Sequence, residues 1–244
     1  MRSLFVLTKR EFCGYFTTPV AWIFLMIFVA LSGILTFYAG NFFGRGQADL
    51  QSFFLFHPWL YVLLIPAISM RLWAEERRSG TIELLMTLPM STWDLVLGKF
   101  FAAWAFVGTA LLLTTPMWIT VNYLGHPDNG VILVSYLASF LIAGTFLSVG
   151  SCLSACTKSQ MIAFVLTMMA CILLTFVGSD ALVDLFSSFA TEKVLKVIRS
   201  FGFLMHFLSL TRGVLDMRDI LFFVSFSGVF LFASVVVLDH KKAV

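Results

Sequence analysis

Residues 20–39 run without a single charged side chain, and about twenty apolar residues are enough to cross the hydrocarbon of a bilayer. Similar stretches recur at 53–70, 95–123, 131–155, 161–178 and 220–238, with Lys99 near the inner end of the third. A soluble domain carries about 25% charged residues. Here 12% of 244 residues are charged and 60% are hydrophobic, including 28 Phe. This is the pattern of an all-α membrane protein with six transmembrane helices, built as one domain over 1–244.

Six spans put both termini on one side of the membrane. That side collects Arg2, Lys9, Arg10, Arg71, Arg77, Arg78, Lys99, Lys158, Lys241 and Lys242. The other holds Arg45, and five more Lys and Arg in one long loop, 179–219. Short loops decide orientation, so both termini are expected in the cytoplasm.

The segments between spans have their own patterns. In 1–17, Phe5, Phe12 and Phe16 share a helical stripe with Lys9, while Arg10 lies opposite. This suits an interfacial helix with Lys9 reaching toward the headgroups. Thr18-Pro19 then reads as an N-cap followed by proline at the first helical position. In 131–155, small residues form rows four apart: Ser135, Ser139, Ala143, and Gly144, Ser148, Cys152, Cys156. Such rows let backbones approach closely and predict a central helix. In 179–219, Leu182, Leu185, Phe186 and Phe189 sit at i, i+3, i+4, i+7, and residues 201–210 are too apolar for water yet too short to span. External helices on or in the outer leaflet are expected, or else a packed external cap.

The densest run of charge is 73–94. It holds Glu75, Glu76, Arg77, Arg78 and Glu83 between two apolar segments. Ser79 or Thr81 can cap a short helix, Gly80 permits the turn into it, and Glu83 lies in its first turn. Ile82, Leu84, Leu85 and Met86 give it an apolar side, and Pro89 ends it. Ser91-Thr92-Trp93-Asp94 is a capping box that launches the next span. A short helix at the membrane surface is one reading; a solvated loop kept inside by its basic residues is the other.

Some chemistry is missing from the sequence. No span carries a mid-membrane Asp, Glu, Lys or Arg, which argues against ion-coupled carriers and intramembrane enzymes. No P-loop signature occurs, so ATP is not expected on this chain. The four His are scattered, and Cys152 and Cys156 have no His or carboxylate near them in the sequence, so no metal site or other cofactor is expected. Nucleic acid is not an expected partner.

The run Glu75-Glu76-Arg77-Arg78-Ser79-Gly80-Thr81-Ile82-Glu83-Leu84-Leu85, closed by Pro89, resembles the E-R-x-x-G-T-x-E-x-L-x-x-x-P signature of ABC-2 type permeases. The tail Ser209 to Asp219 is similar to the GldF-like branch. The resemblance covers the whole chain. It implies a non-enzymatic permease of the bacterial inner membrane whose 73–94 segment is a coupling helix docking on a separate cytoplasmic ATPase dimer that binds ATP and Mg. It further implies pairing with a second permease copy, the same or related, and for this branch a periplasmic GldG-like subunit. On this resemblance Glu75, Glu76, Arg77, Arg78, Gly80, Thr81, Glu83, Leu84, Leu85 and Pro89 are the coupling residues. No residue marks a substrate. Two alternatives share the six-span plan: a haem-exporter-type permease of cytochrome c maturation, and a mechanotransmitting scaffold that moves no cargo.

Overall fold

The computed structural model describes residues 2–86, 90–177, 179 and 200–242. Among them every regular element is a helix, as expected where backbone N–H and C=O groups in lipid must be satisfied within their own segment. The elements are α1 (Arg2–Phe16), α2 (Pro19–Ile34, continued by a π-helical turn, Leu35–Ala39), α3 (Phe42–Arg45), α4 (Gln51–Leu55), α5 (His57–Ser79), α6 (Thr81–Met86), α7 (Thr92–Leu112), α8 (Thr115–Leu124), α9 (Asn129–Cys156), α10 (Gln160–Phe176), α11 (Phe203–Thr211) and α12 (Met217–Lys242). Four stretches are long and apolar enough to cross a membrane: Pro19–Ala39, Thr92–Leu124, Asn129–Cys156 and Met217–His240. The two other expected spans fall in α5, whose last third is charged, and in α10. The 17 residues of α10 span about 25 Å, short of the roughly 30 Å hydrocarbon.

The hub is α9, which touches α5, α7, α10, α11 and α12. Asp128 starts it, its carboxylate accepting from the Gly130 and Val131 N–H groups at 2.8 and 3.3 Å. The small-residue rows become its buried faces: Ser135, Ser139, Ala143, Gly144, Ser148 and Cys152 are all buried, although Cys156, at the end of the row, is exposed. At Gly150 an added Cβ would overlap Ser69 of α5 and Thr167 of α10. At Gly144 it would come within 2.7 Å of the Trp104 indole nitrogen, whose ring stacks on Phe140 at 4.2 Å. Lipid gives helices no hydrophobic reason to associate, so close packing and interhelical hydrogen bonds must do it. The serines of α9 supply the bonds. Ser139 meets His57 and Tyr61 at 2.7 Å each near one end of α5. Near the other end Ser151 accepts from the Trp73 indole at 3.0 Å, and Ser154 from the Trp73 and Ala74 backbone.

The expected single span over 95–123 is two helices. Proline at 116 has no N–H to offer the Leu112 carbonyl and crowds it, so the helix stops at Leu112 and restarts at Thr115. The freed carbonyls are satisfied by threonine hydroxyls: Thr114 donates to Leu111 at 2.6 Å and Thr115 to Leu112 at 2.8 Å.

The bundle has two distinct ends. One gathers α3, α4, α8 and α11 around the start of α9. There α11 packs inward through Phe203, Phe207 and Leu210, so residues 203–211 are packed onto the protein body. The remaining expected external helices, 180–199, lie outside the described residues. The other end gathers α1, α6 and the charged tip of α5, with Thr92 of α7 donating to Asp239 of α12 at 2.6 Å.

Candidate functional site

The charged run is not a loop. α5 continues unbroken from its apolar part through Glu75, Glu76, Arg77 and Arg78 to Ser79, so these four residues ride on the end of a long, mostly apolar helix. The helix stops because Gly80 adopts φ +74°, the left-handed region where glycine carries no steric penalty. The terminal carbonyls of α5 are met by side chains: the Ser79 hydroxyl donates to Glu75 O at 3.0 Å and Thr81 to Glu76 O at 3.4 Å. These two hydroxyls therefore help to close α5. That helix, α6, begins at Thr81 and carries Glu83 in its first turn, where the dipole favours an anion. Ile82 and Leu85 pack against the protein body while Thr81 and Glu83 are exposed. Leu84 lies on the same helix, and Pro89 lies outside the described residues. Ser91 then caps α7, accepting from the Asp94 N–H at 3.1 Å.

Geometry divides the expected coupling residues in two. Glu75, Arg78, Gly80, Thr81 and Glu83 face out. Glu76 and Arg77 are committed to the interior. Arg77 donates to the Ala155 carbonyl at 2.7 Å, placing a cation on the C-terminal end of α9, where the helix dipole favours it. Glu76 accepts from Lys99 of α7 at 2.5 Å, and Lys99 also meets Glu11 of α1 at 3.3 Å. The Lys99 side chain is only 5% exposed, against 19% for Glu76, and its ammonium lies 5.6 Å from the centre of the Trp73 ring. Burial raises the Glu76 carboxyl above the usual carboxylate range, and the attraction of Lys99 only partly offsets it. One buried cation thus pins α1, α5 and α7 together directly behind the exposed tip.

In α1, Phe5, Lys9 and Arg10 are exposed while Phe12 packs on the protein body. Leu7 is buried against α7, so tightly that a Cβ on Gly98 would come within 2.6 Å of it.

Sequence reasoning missed the Glu11–Lys99–Glu76 cluster, whose members lie far apart in the chain. It also missed a pair at the opposite end, where His206 Nδ1 lies 2.7 Å from Asp219 and its Nε2 lies 3.0 Å from the Ser200 carbonyl. Asp219 was visible only as the end of the Ser209–Asp219 tail. Among the described residues no three His, Cys, Asp or Glu side chains come together as metal ligands.

The family model described as ABC-2 family transporter protein matches residues 6–238. The chain belongs to the ABC-2 transporter family. The match takes in most of α1, the α5–α6 joint and, but for two terminal residues, the four long apolar stretches, and it fits a membrane permease component of a family whose members generally work with an ABC ATPase. None of the curated proteins matches this ABC-2 family chain.

Proposed function

We propose that this chain is the permease subunit of an ABC-2 type exporter and that α6 with the tip of α5 is the element on which a separate ATPase acts. The observation that carries the reading is the joint at Gly80. A left-handed residue turns the chain sharply and presents Thr81 and Glu83 outward, while Ile82 and Leu85 fix the same short helix to the body. An element anchored on one side and exposed on the other moves as a rigid body with whatever docks on it. Behind it, Lys99 and Arg77 join that element to α1, α7 and α9, so displacement at the tip reaches the core.

In this reading α5 and α10 complete six spans, both termini are cytoplasmic, and two permeases pair over two ATPases that hold the ATP and Mg. The GldF-like branch, with a GldG-like periplasmic partner, rests on the tail from Ser209 to Asp219. The exposed face of α1 (Phe5, Lys9, Arg10) lies on the inner membrane surface.

The test is purification of the tagged chain from its native membranes. The wild type should bring ATP-hydrolysing activity with it. The Glu83→Lys, Gly80→Val double variant should insert and stay folded but lose that activity. Full recovery of the activity with the double variant refutes the coupling assignment.

A further inference from the structure

Two cavities adjoin where α1, α2 and α5 meet. One, about 290 Å³, is the more polar and is lined by Glu11, Tyr15, Arg71 and Glu75, with Glu76 and Lys99 also on its wall. The second, about 140 Å³, is lined almost wholly by carbon from Ile23, Phe24 and Ile27 of α2 and Leu64, Ala67 and Ile68 of α5. Tyr15, Thr18 and Arg71 line both. Ile23 and Ile27 are also exposed on the outer side of α2, so the apolar cavity is a crevice open to the surroundings.

Arg71 sits at the junction. It is half-buried, its Nε is fully buried with no partner, and among the described residues its guanidinium makes no hydrogen bond or ion pair. Its neighbours are already matched, Lys99 to Glu11 and Glu76 and Arg10 to Glu11. Removing a guanidinium from water without an anion is costly, and its planar fork fits a phosphate in two-point fashion. Arg71 directly follows the charge-free part of α5, which puts it at the level where headgroups lie. Burial raises the Tyr15 hydroxyl above its ordinary pKa, so beside Arg71 it remains a donor. On the open side stands Glu75, exposed and without a side-chain partner among the described residues.

We propose that this crevice holds one phospholipid with a zwitterionic, amine-bearing headgroup. Its phosphate sits on Arg71 and Tyr15, its ammonium faces Glu75, and the first part of an acyl chain lies between α2 and α5. A free anion would use Arg71 but leave the carbon-lined crevice unfilled. An anionic lipid without the amine would bring its phosphate charge beside the exposed Glu75 carboxylate with no cation to balance the two. The site shares Glu75 with the tip assigned to the ATPase, but Arg71 and Ala67, through which it is tested, lie outside that assignment.

Native mass spectrometry of delipidated protein, titrated with phosphatidylethanolamine, phosphatidylglycerol or soluble glycerophosphoethanolamine, tests this. The wild type should bind one phosphatidylethanolamine at least about tenfold more tightly than Arg71→Gln, as loss of a charge-assisted hydrogen-bond pair implies. Ala67→Trp, which fills the crevice and leaves every charge in place, should weaken the same lipid. If Arg71→Gln does not yield folded protein, Ala67→Trp decides. Equal lipid binding by the wild type and the variants overturns the site. Phosphatidylglycerol binding as tightly as phosphatidylethanolamine overturns the amine assignment, and the soluble headgroup binding as tightly as the lipid overturns the acyl crevice.

Discussion

Replacing Lys99 with methionine keeps the length of the side chain and removes its charge. The ammonium is almost wholly buried and faces two carboxylates, at 2.5 Å from Glu76 and 3.3 Å from Glu11. Breaking a fully buried ion pair from one side costs about 3–5 kcal/mol, because the remaining charge is left without compensation. Both carboxylates retain about a fifth of their exposure, so water relieves part of this, and about 2–3 kcal/mol is expected. Most of the loss is the stranded Glu76. Glu76→Met added to Lys99→Met should therefore restore stability, leaving the double variant more stable than Lys99→Met alone by at least about 1 kcal/mol.

The pH dependence has a defined sign. The Glu76 carboxyl in the fold is already raised above its unfolded value by burial, with Lys99 the main force pulling it back. Without Lys99 it rises further. A group with a raised folded pKa binds its proton more tightly in the fold, so its contribution favours folding at low pH and is lost as pH rises through the folded pKa. The deficit of Lys99→Met should shrink as pH falls from about 7 toward 5. Thermal unfolding of the detergent-solubilised protein at several pH values measures all of this. Strict additivity of the two substitutions at neutral pH, or a deficit that grows on acidification, refutes the argument.

Gly150→Leu should abolish the fold, because even a Cβ there overlaps Ser69 and Thr167 on two other helices; size-exclusion profiles would show aggregation in place of a single peak. Gly80→Val places a β-branched residue at φ +74° with nothing within 4 Å of the new Cβ. Its cost is backbone strain alone, about 1–2 kcal/mol, and Gly80→Asn should recover most of it, as thermal unfolding would show. Arg77→Ala removes the cation from the end of α9 and should lower stability by about 1–2 kcal/mol, less in high salt. A cysteine at the exposed His126, between α8 and α9, should react with a membrane-impermeant reagent from outside intact cells lacking the native cysteines, and labelling only after permeabilisation would reverse the orientation.

How much was legible follows from the range of each interaction. The rows of small residues on α9 were readable because a helix repeats its neighbours at fixed intervals, so close approach leaves a local trace. Gly80 was readable because a left-handed turn selects its residue. The continuation of α5 through Glu75 to Arg78 was not: hydropathy marks where lipid ends, whereas a helix ends only when its backbone turns. The break at Pro116 was hidden for the complementary reason, since the residues around it stay apolar. The pairing of Lys99 with Glu11 and Glu76 joins three helices across 88 and 23 positions of sequence, and nothing local records such a meeting. Arg71 read as one more inner-side cation until its cavity was seen.

Because α5 is one continuous helix, its two ends are geometrically tied, with one weak place between them. Pro66 lies inside it, and a proline in a helix interior removes a backbone hydrogen bond and is the usual seat of a kink. The thirteen residues from there to Ser79 make an arm of about 20 Å. A flexion of about 10° at Pro66 would carry Gly80 sideways by roughly 3.5 Å, more than half a helical turn, while His57, on the far side of the fulcrum, stays seated on Ser139. Trp73, Arg77 and Glu76 tie the charged end to α9 and α7, so a flexion at Pro66 carries those helices with it while the face around His57 stays in place.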